Sequence, residues 1–216
     1  FSDIIRSGRI MTVKLTEIFR QARKSRIVTS AHMINSGELP DVKENTGDFF
    51  FMCRRDPKKA VETIISLVSR RLPENMHIPP ENIQVLSPTR RYEMGTENLN
   101  RLLQGALNPE GKGKKEKQFG DFIYREGDKV MQIKNNYDIM WKTKDGFTSG
   151  TGVFNGDIGI ISEIDYTRET VTVEFDDKRV NYLYEQLSEL EPAYAMTVHK
   201  SQGSEYDTVI LAAGNA

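Results

Sequence analysis

Residues Tyr194–Leu211 read YAMTVHKSQGSEYDTVIL. Both ends have the apolar density of buried strands, and the middle is filled with Thr, His, Lys, Ser, Gln and Gly. Uninterrupted apolar runs of strand length are typical of parallel strands covered on both faces. In an open parallel sheet, ligands gather where loops leave the carboxyl ends of the strands. A second run, VLSPTRR at Val85–Arg91, has the same form: apolar strand, small hydroxyl residues, then positive charge. Hydroxyls, backbone N–H groups and a cation together suit phosphate oxygens, since each supplies a donor and the charge is neutralised locally. The residues alone leave a second reading open, in which Ser87 and Thr89 cap the next helix and Arg90 and Arg91 are solvated.

Working outward, Ile27, Ala31 and Ile34 recur at helical spacing and predict a helix from about Gln21 to Ser36, stopped by Gly37 and Pro40. DFFFMC (Asp48–Cys53) reads as a short buried strand. The next segment has Asp56 as N-cap and Pro57 at the first helical position, then Val61, Ile64, Ile65, Val68 and Leu72 on one face. TENLNRLLQGAL places Leu99, Leu102, Leu103, Ala106 and Leu107 on a helical stripe. Strands alternating with helices favour a parallel sheet. After Asn108 the pattern changes. NPEGKGKKEKQ reads as a mobile surface loop, with Lys112 to Lys117 a solvated run by default. Beyond it, GDKVMQI, GDIGIISEI, TVTVEF and KRVNYLY are short runs with Val171, Val173 and Phe175 alternating against polar residues, which means antiparallel strands in a small barrel. DTVILAA then returns to the parallel type, so the barrel is read as inserted within an α/β domain.

Composition sets the outer limits. The chain has 216 residues, 38% hydrophobic and 28% charged, with a formal net charge of -1, so a whole-molecule field cannot drive nucleic-acid binding. No run approaches the roughly 20 apolar residues of a membrane span, and the opening FSDIIRSGRI lacks the pattern of a signal peptide. Its start without Met suggests a piece of a longer protein. One cysteine, Cys53, permits no intramolecular disulfide, and three scattered histidines have no metal-ligand spacing. A cytoplasmic setting and no bound metal are the expectations.

LTEIFRQA, VLSPTRR, ENLNRLLQGALNP, GDKVMQIKNNY, FNGDIGII and AYAMTVHKSQGSEYDTVIL, in this order, resemble the RecD/TraA-type branch of superfamily 1 DNA helicases. The likeness spans nearly the whole chain, and its most specific element, TVHKSQGSE, is similar to the helicase signature called motif V. The resemblance implies a RecA-like parallel sheet domain formed by residues 1–123 and 189–216, incomplete at both ends, with an SH3-like barrel inserted at 124–188. It implies ATP and Mg2+ in the parent enzyme, single-stranded DNA as a partner, the first RecA-like domain of the same chain as the other half of the cleft, and movement from 5′ to 3′. A G-x-x-x-x-G-K-[ST] loop is absent from these residues, so the fragment is expected to hold no nucleotide and hydrolyse no ATP alone.

The resemblance also assigns roles. Arg20 matches the arginine brought across the domain cleft to the γ-phosphate, where a guanidinium arriving on closure stabilises the transferring phosphoryl group. Thr197 and His199 match positions on the DNA backbone, and Lys200 joins them as a candidate contact. Gly203 and Glu205 match the nucleotide side: Gly203 permits close backbone approach and Glu205 can accept from a ribose hydroxyl. Ser87, Thr89 and Arg90 are the remaining candidates for DNA phosphates. Tyr137, Trp141, Phe147 and Phe154 either stack on bases or, as the ordinary reading for Trp141 and Phe154, fill the barrel core. Two competing functions remain at this stage: a non-catalytic SH3-like module that recruits nucleic acid or protein on an α/β support, and a degenerate helicase-like subunit.

Overall fold

The computed structural model describes residues 2–13, 24–44 and 46–214. The chain divides at Cys53/Arg54 into two units.

The first unit carries helices α1 (Ser2–Arg6) and α2 (Arg26–Asn35). Expected from about Gln21, α2 begins only at Arg26 because Ser25 has extended backbone and caps it, accepting from the Val28 N–H at 3.2 Å. Asp48 completes this cap, accepting from Ser25 Oγ at 2.6 Å and Arg26 N at 2.8 Å; the Ser25 bond leads in holding its carboxyl below the usual carboxylate range. The Arg26 guanidinium donates to the carbonyls of Asp41, Glu44, Thr46 and Phe49. The strand expected over Asp48–Cys53 does not form.

In the second unit, α3 (Pro57–Ser66) starts as its sequence dictates, with Asp56 accepting from Lys58 N at 2.9 Å. It runs through a π turn, Leu67–Arg71, into α4 (Leu72–Met76). In the turn the Leu72 N–H reaches back five residues to the Leu67 carbonyl. Pro73 follows at once. It has no N–H and would crowd the carbonyl four residues earlier in a regular helix, a conflict that the wider turn relieves. His77, at φ +55, ends the run.

The parallel sheet has three strands in the order β11–β1–β12: β1 (Ile83–Ser87), β11 (Ala195–Thr197) and β12 (Thr208–Leu211). Helix α5 (Thr96–Leu107) and α3 pack on it, burying Val61, Ile64, Val68, Val85, Leu99 and Leu103. Each such side chain is worth about 1.5–3 kcal/mol when fully withdrawn from water. Leu102, expected on the same stripe, is 38% exposed.

The insert, joined by β10 just beyond its end, forms a seven-stranded antiparallel sheet in the order β10–β4–β7–β8–β9–β5–β6. Its strands are β4 (Lys129–Gln132), β5 (Asn136–Thr143), β6 (Ser149–Val153), β7 (Ile158–Asp165), β8 (Thr170–Phe175), β9 (Lys178–Leu183) and β10 (Leu190–Pro192). Val171, Val173 and Phe175 point into its core as the alternation requires. Among the described residues the sheet is open, with β10 and β6 at its ends, rather than a closed barrel. Two strands, β5 and β6, pair antiparallel with each other outside the four apolar runs. A further hairpin, β2 (Glu116–Phe119) with β3 (Phe122–Arg125), begins inside the lysine-rich stretch read as a loop. Phe119, Phe122 and Tyr124 give that hairpin an apolar face against the core, which outweighs its polar composition.

Candidate nucleic-acid interface

The two polar loops leave one end of the parallel sheet. Ser87 and Thr197 are register partners on neighbouring strands, and the Val198 N–H donates to the Ser87 carbonyl at 3.1 Å, so both loops start side by side.

The first loop is organised from within. Ser87 is fully buried, and its hydroxyl donates to the Met94 carbonyl at 2.7 Å while accepting from the Thr89 N–H at 3.2 Å. It therefore shapes the loop and is turned away from solvent. The carbonyls of Thr89 and Arg90 accept from Thr96 N at 3.1 Å and Glu97 N at 3.0 Å, occupying the first free donors of α5. Gly95 has no room for a side chain, since a Cβ would lie 2.1 Å from the Arg91 carbonyl oxygen. What this loop offers outward is the side chain of Arg90, 58% exposed, and in part that of Thr89, whose hydroxyl donates to the Arg91 carbonyl at 3.3 Å.

The second loop is a compact series of turns. Lys200 N and Ser201 N donate to the Thr197 carbonyl at 3.0 and 3.2 Å, and the Thr197 hydroxyl accepts from Lys200 N at 3.3 Å. His199 is exposed beside them. Gly203 sits at φ +87 with open space around it, so its backbone is approachable and a side chain there would be strained. Thr89, Arg90, Thr197, His199 and Lys200 thus belong to the two neighbouring loops. Arg90 and Lys200 meet through Glu191 of β10, at 3.5 and 2.5 Å respectively.

Glu205 lies elsewhere. The chain from Val198 to Asp207 crosses to the amino end of the sheet, where Thr208 pairs with Ile83. There Glu205 and Tyr206 border a cavity of about 400 Å³ shared with Asp157, Asp176, Asp177 and Lys178 of the insert. They also border a smaller one, of about 210 Å³, with Glu81, Gln84 and Lys129. Burial pushes the Lys129 ammonium below its ordinary range. The larger cavity holds four carboxylates against one lysine, a balance that opposes a triphosphate. No cluster of three His, Cys, Asp or Glu side chains among the described residues could hold a metal ion, and Arg20 lies outside the described residues.

Buried polar contacts that the sequence did not announce fix how the insert meets the parallel sheet. Asp128, fully buried, accepts from Gln104 Nε2 (2.6 Å), Asn108 Nδ2 (2.7 Å), Arg125 N (2.7 Å) and Tyr194 Oη (3.0 Å). Burial pushes its carboxyl above the usual range, against hydrogen bonds that favour its charge. One side chain thus gathers α5, the start of the insert and the residue before β11. The signal was present as GD at Gly127–Asp128 after a hairpin, but nothing in it distinguishes a buried hub from an ordinary turn. On the insert, Trp141 packs against the core as the ordinary reading holds, whereas Phe154 is 43% exposed and meets the exposed Tyr137 edge to face at 5.7 Å. Phe147 is exposed as well.

Residues 99–175 match the family model of the SH3 domain of ATP-dependent RecD-like DNA helicases, and residues 192–216 match that of the C-terminal domain of UvrD-like helicases. An ATP-dependent RecD2 DNA helicase of Deinococcus radiodurans is 33% identical over 202 residues, 92% of this chain; the chain spans 24% of that helicase's length. Among solved structures, a Pif1 helicase from Bacteroides in complex with ADP-AlF3 and single-stranded DNA aligns over 92% of this chain and 45% of its own, at 16% identity and a TM-score of 0.47. A Pif1 helicase from Candida albicans aligns over 90% and 48%, at 17% identity and a TM-score of 0.46. No described helix is long and apolar enough to cross a membrane. With an SH3 domain of the RecD-like kind followed in order by a helicase C-terminal segment, the chain belongs to the RecD-like DNA helicases of superfamily 1.

Proposed function

We propose that the chain is part of the second motor domain of an ATP-dependent helicase moving 5′ to 3′, supplying half of a single-stranded DNA track and half of an ATP cleft. In this reading residues 1–123 and 189–216 form the motor domain and 124–188 the insert. The observation that carries it is the register of Ser87 with Thr197, which sets two cation-bearing loops side by side at the carboxyl end of a parallel sheet. There Arg90, His199 and Lys200, with Thr89 and Thr197 beside them, meet backbone phosphates, and Ser87 holds the first loop in shape. Contacts of this kind position a strand without reading its bases, as a motor that travels along any sequence requires.

ATP and Mg2+ belong to the parent enzyme. Mg2+ would neutralise charge between the phosphates; this chain's part is Arg20 at the γ-phosphate, the open backbone of Gly203 and the Glu205 carboxylate on the sugar. The first RecA-like domain supplies the rest, and the fragment alone does not turn over ATP.

The test is a titration of the chain with labelled single-stranded oligonucleotide from 50 to 200 mM salt. Binding should weaken with a logarithmic slope of about -0.7 per phosphate neutralised. An affinity that stays flat across that range would overturn the phosphate-centred reading.

A further inference from the structure

Two candidate phosphate ligands, from different loops, converge on one side chain that belongs to neither. The Glu191 carboxylate uses one oxygen for Arg90 Nη2 at 3.5 Å and the other for Lys200 Nζ at 2.5 Å. Its backbone is fixed: Glu191 faces Met131 in the β10–β4 ladder, Pro192 follows, and Ala193 N donates to the Lys129 carbonyl at 2.8 Å. Its side chain is 30% exposed. A second carboxylate, Glu97, lies 3.8 Å from Arg90 but does not reach Lys200. A carboxylate and a phosphodiester are alike in what matters here: a single negative charge shared by two terminal oxygens that accept from Arg and Lys.

Resting on the DNA track argued above, we propose that Glu191 is an internal stand-in for a DNA phosphate, holding Arg90 and Lys200 at phosphate-binding separation until the strand displaces it. The strand β10, which pairs with β4 of the insert, thereby sets the strength of DNA binding by the motor loops. The free site is kept in order, and each binding event must exchange one anion for another. Two positive charges facing one bridging carboxylate and a flanking one leave the empty site near neutral, which lowers its attraction for unrelated anions.

Glu191→Gln keeps the size of the side chain and removes its charge. Labelled single-stranded DNA should bind E191Q about 3- to 10-fold more tightly than the unaltered chain, with a salt slope steeper by roughly 0.7 for each cation set free. Glu97→Gln, which leaves the Lys200 pair intact, should gain less than about 2-fold by the same logic of local rather than net charge. Equal gains for the two variants would reduce the effect to net charge and overturn the proposal. So would unchanged binding by E191Q, while salt-sensitive binding by the unaltered chain would leave the DNA track standing. If neither the unaltered chain nor E191Q binds, both readings fall. Should E191Q fold poorly, the carboxylate 13C shift of Glu191 in the unaltered chain decides: it should move on saturation with DNA, and a constant shift refutes displacement.

Discussion

Asn100 of α5 and Ala195 of β11 exchange two hydrogen bonds of 2.8 Å, the side-chain amide donating to the Ala195 carbonyl and accepting from its N–H. A helix side chain thus takes the place of a neighbouring strand along one residue of the sheet, immediately before the loop that carries His199 and Lys200. Replacing Asn100 by Leu strands a buried donor and acceptor. The chain should lose about 3 kcal/mol, read as a lower denaturant midpoint at unchanged slope.

Asp128 should tolerate replacement by its amide no better. In Asp128→Asn one acceptor becomes an NH2 group facing donors from Gln104, Asn108, Arg125 and Tyr194. A loss of about 2–4 kcal/mol is expected, larger than for exchanges at exposed acids such as Glu163, by the same denaturation measurement.

Gly150 faces the indole of Trp141, and a Cβ would sit 2.5 Å from its ring. Gly150→Ala should cost about 1–3 kcal/mol through overpacking. Since Trp141 is the sole tryptophan, its fluorescence maximum should shift in the folded variant, and an unchanged spectrum with unchanged stability would contradict the contact.

The cap on α2 should respond to acid. Asp48 is held below its ordinary pKa, chiefly by Ser25, so its contribution is complete above the unfolded value of 3.8 and is lost as pH falls through the lower, folded one. Amide exchange at Arg26–Val28 should quicken as pH falls through that window beyond the intrinsic pH effect, and Asp48→Asn should remove the dependence.

In the parent enzyme, Arg20→Ala should depress ATP turnover by about 10³-fold or more with little change in nucleotide affinity, as measured by steady-state kinetics and equilibrium binding. An unaltered turnover number would refute the role of Arg20.

What the sequence disclosed and what it withheld have physical causes. The parallel strand Ile83–Ser87 and the alternating Val171, Val173 and Phe175 were legible because burial writes itself into apolar periodicity, whereas Thr208–Leu211, read as a covered strand from its apolar run, leaves Val209 and Leu211 46% and 57% exposed. Helix α3 was legible because Asp56 and Pro57 act locally. DFFFMC misled because apolar content alone does not distinguish a strand from an irregular segment. The β2–β3 hairpin was hidden because Phe119, Phe122 and Tyr124 stabilise it through distant residues. At the site, the two loops could be read from their hydroxyls and cations. The inward turn of Ser87, the bridge at Glu191 and the passage of Glu205 to the other end of the sheet depend on contacts between residues far apart in the chain, which no local pattern records.

Because among the described residues the seven-stranded sheet does not close, β6 keeps there one flank of backbone donors and acceptors unclaimed by its own sheet. Such a flank invites another chain to add a strand. Gly152, at φ +99, bends it out of the extended form that a docking strand would need to follow, and β5 bulges opposite between Asn136 and Met140. An irregular edge of this kind, beside the exposed Tyr137 and Phe154, is a poor template for edge-to-edge pairing.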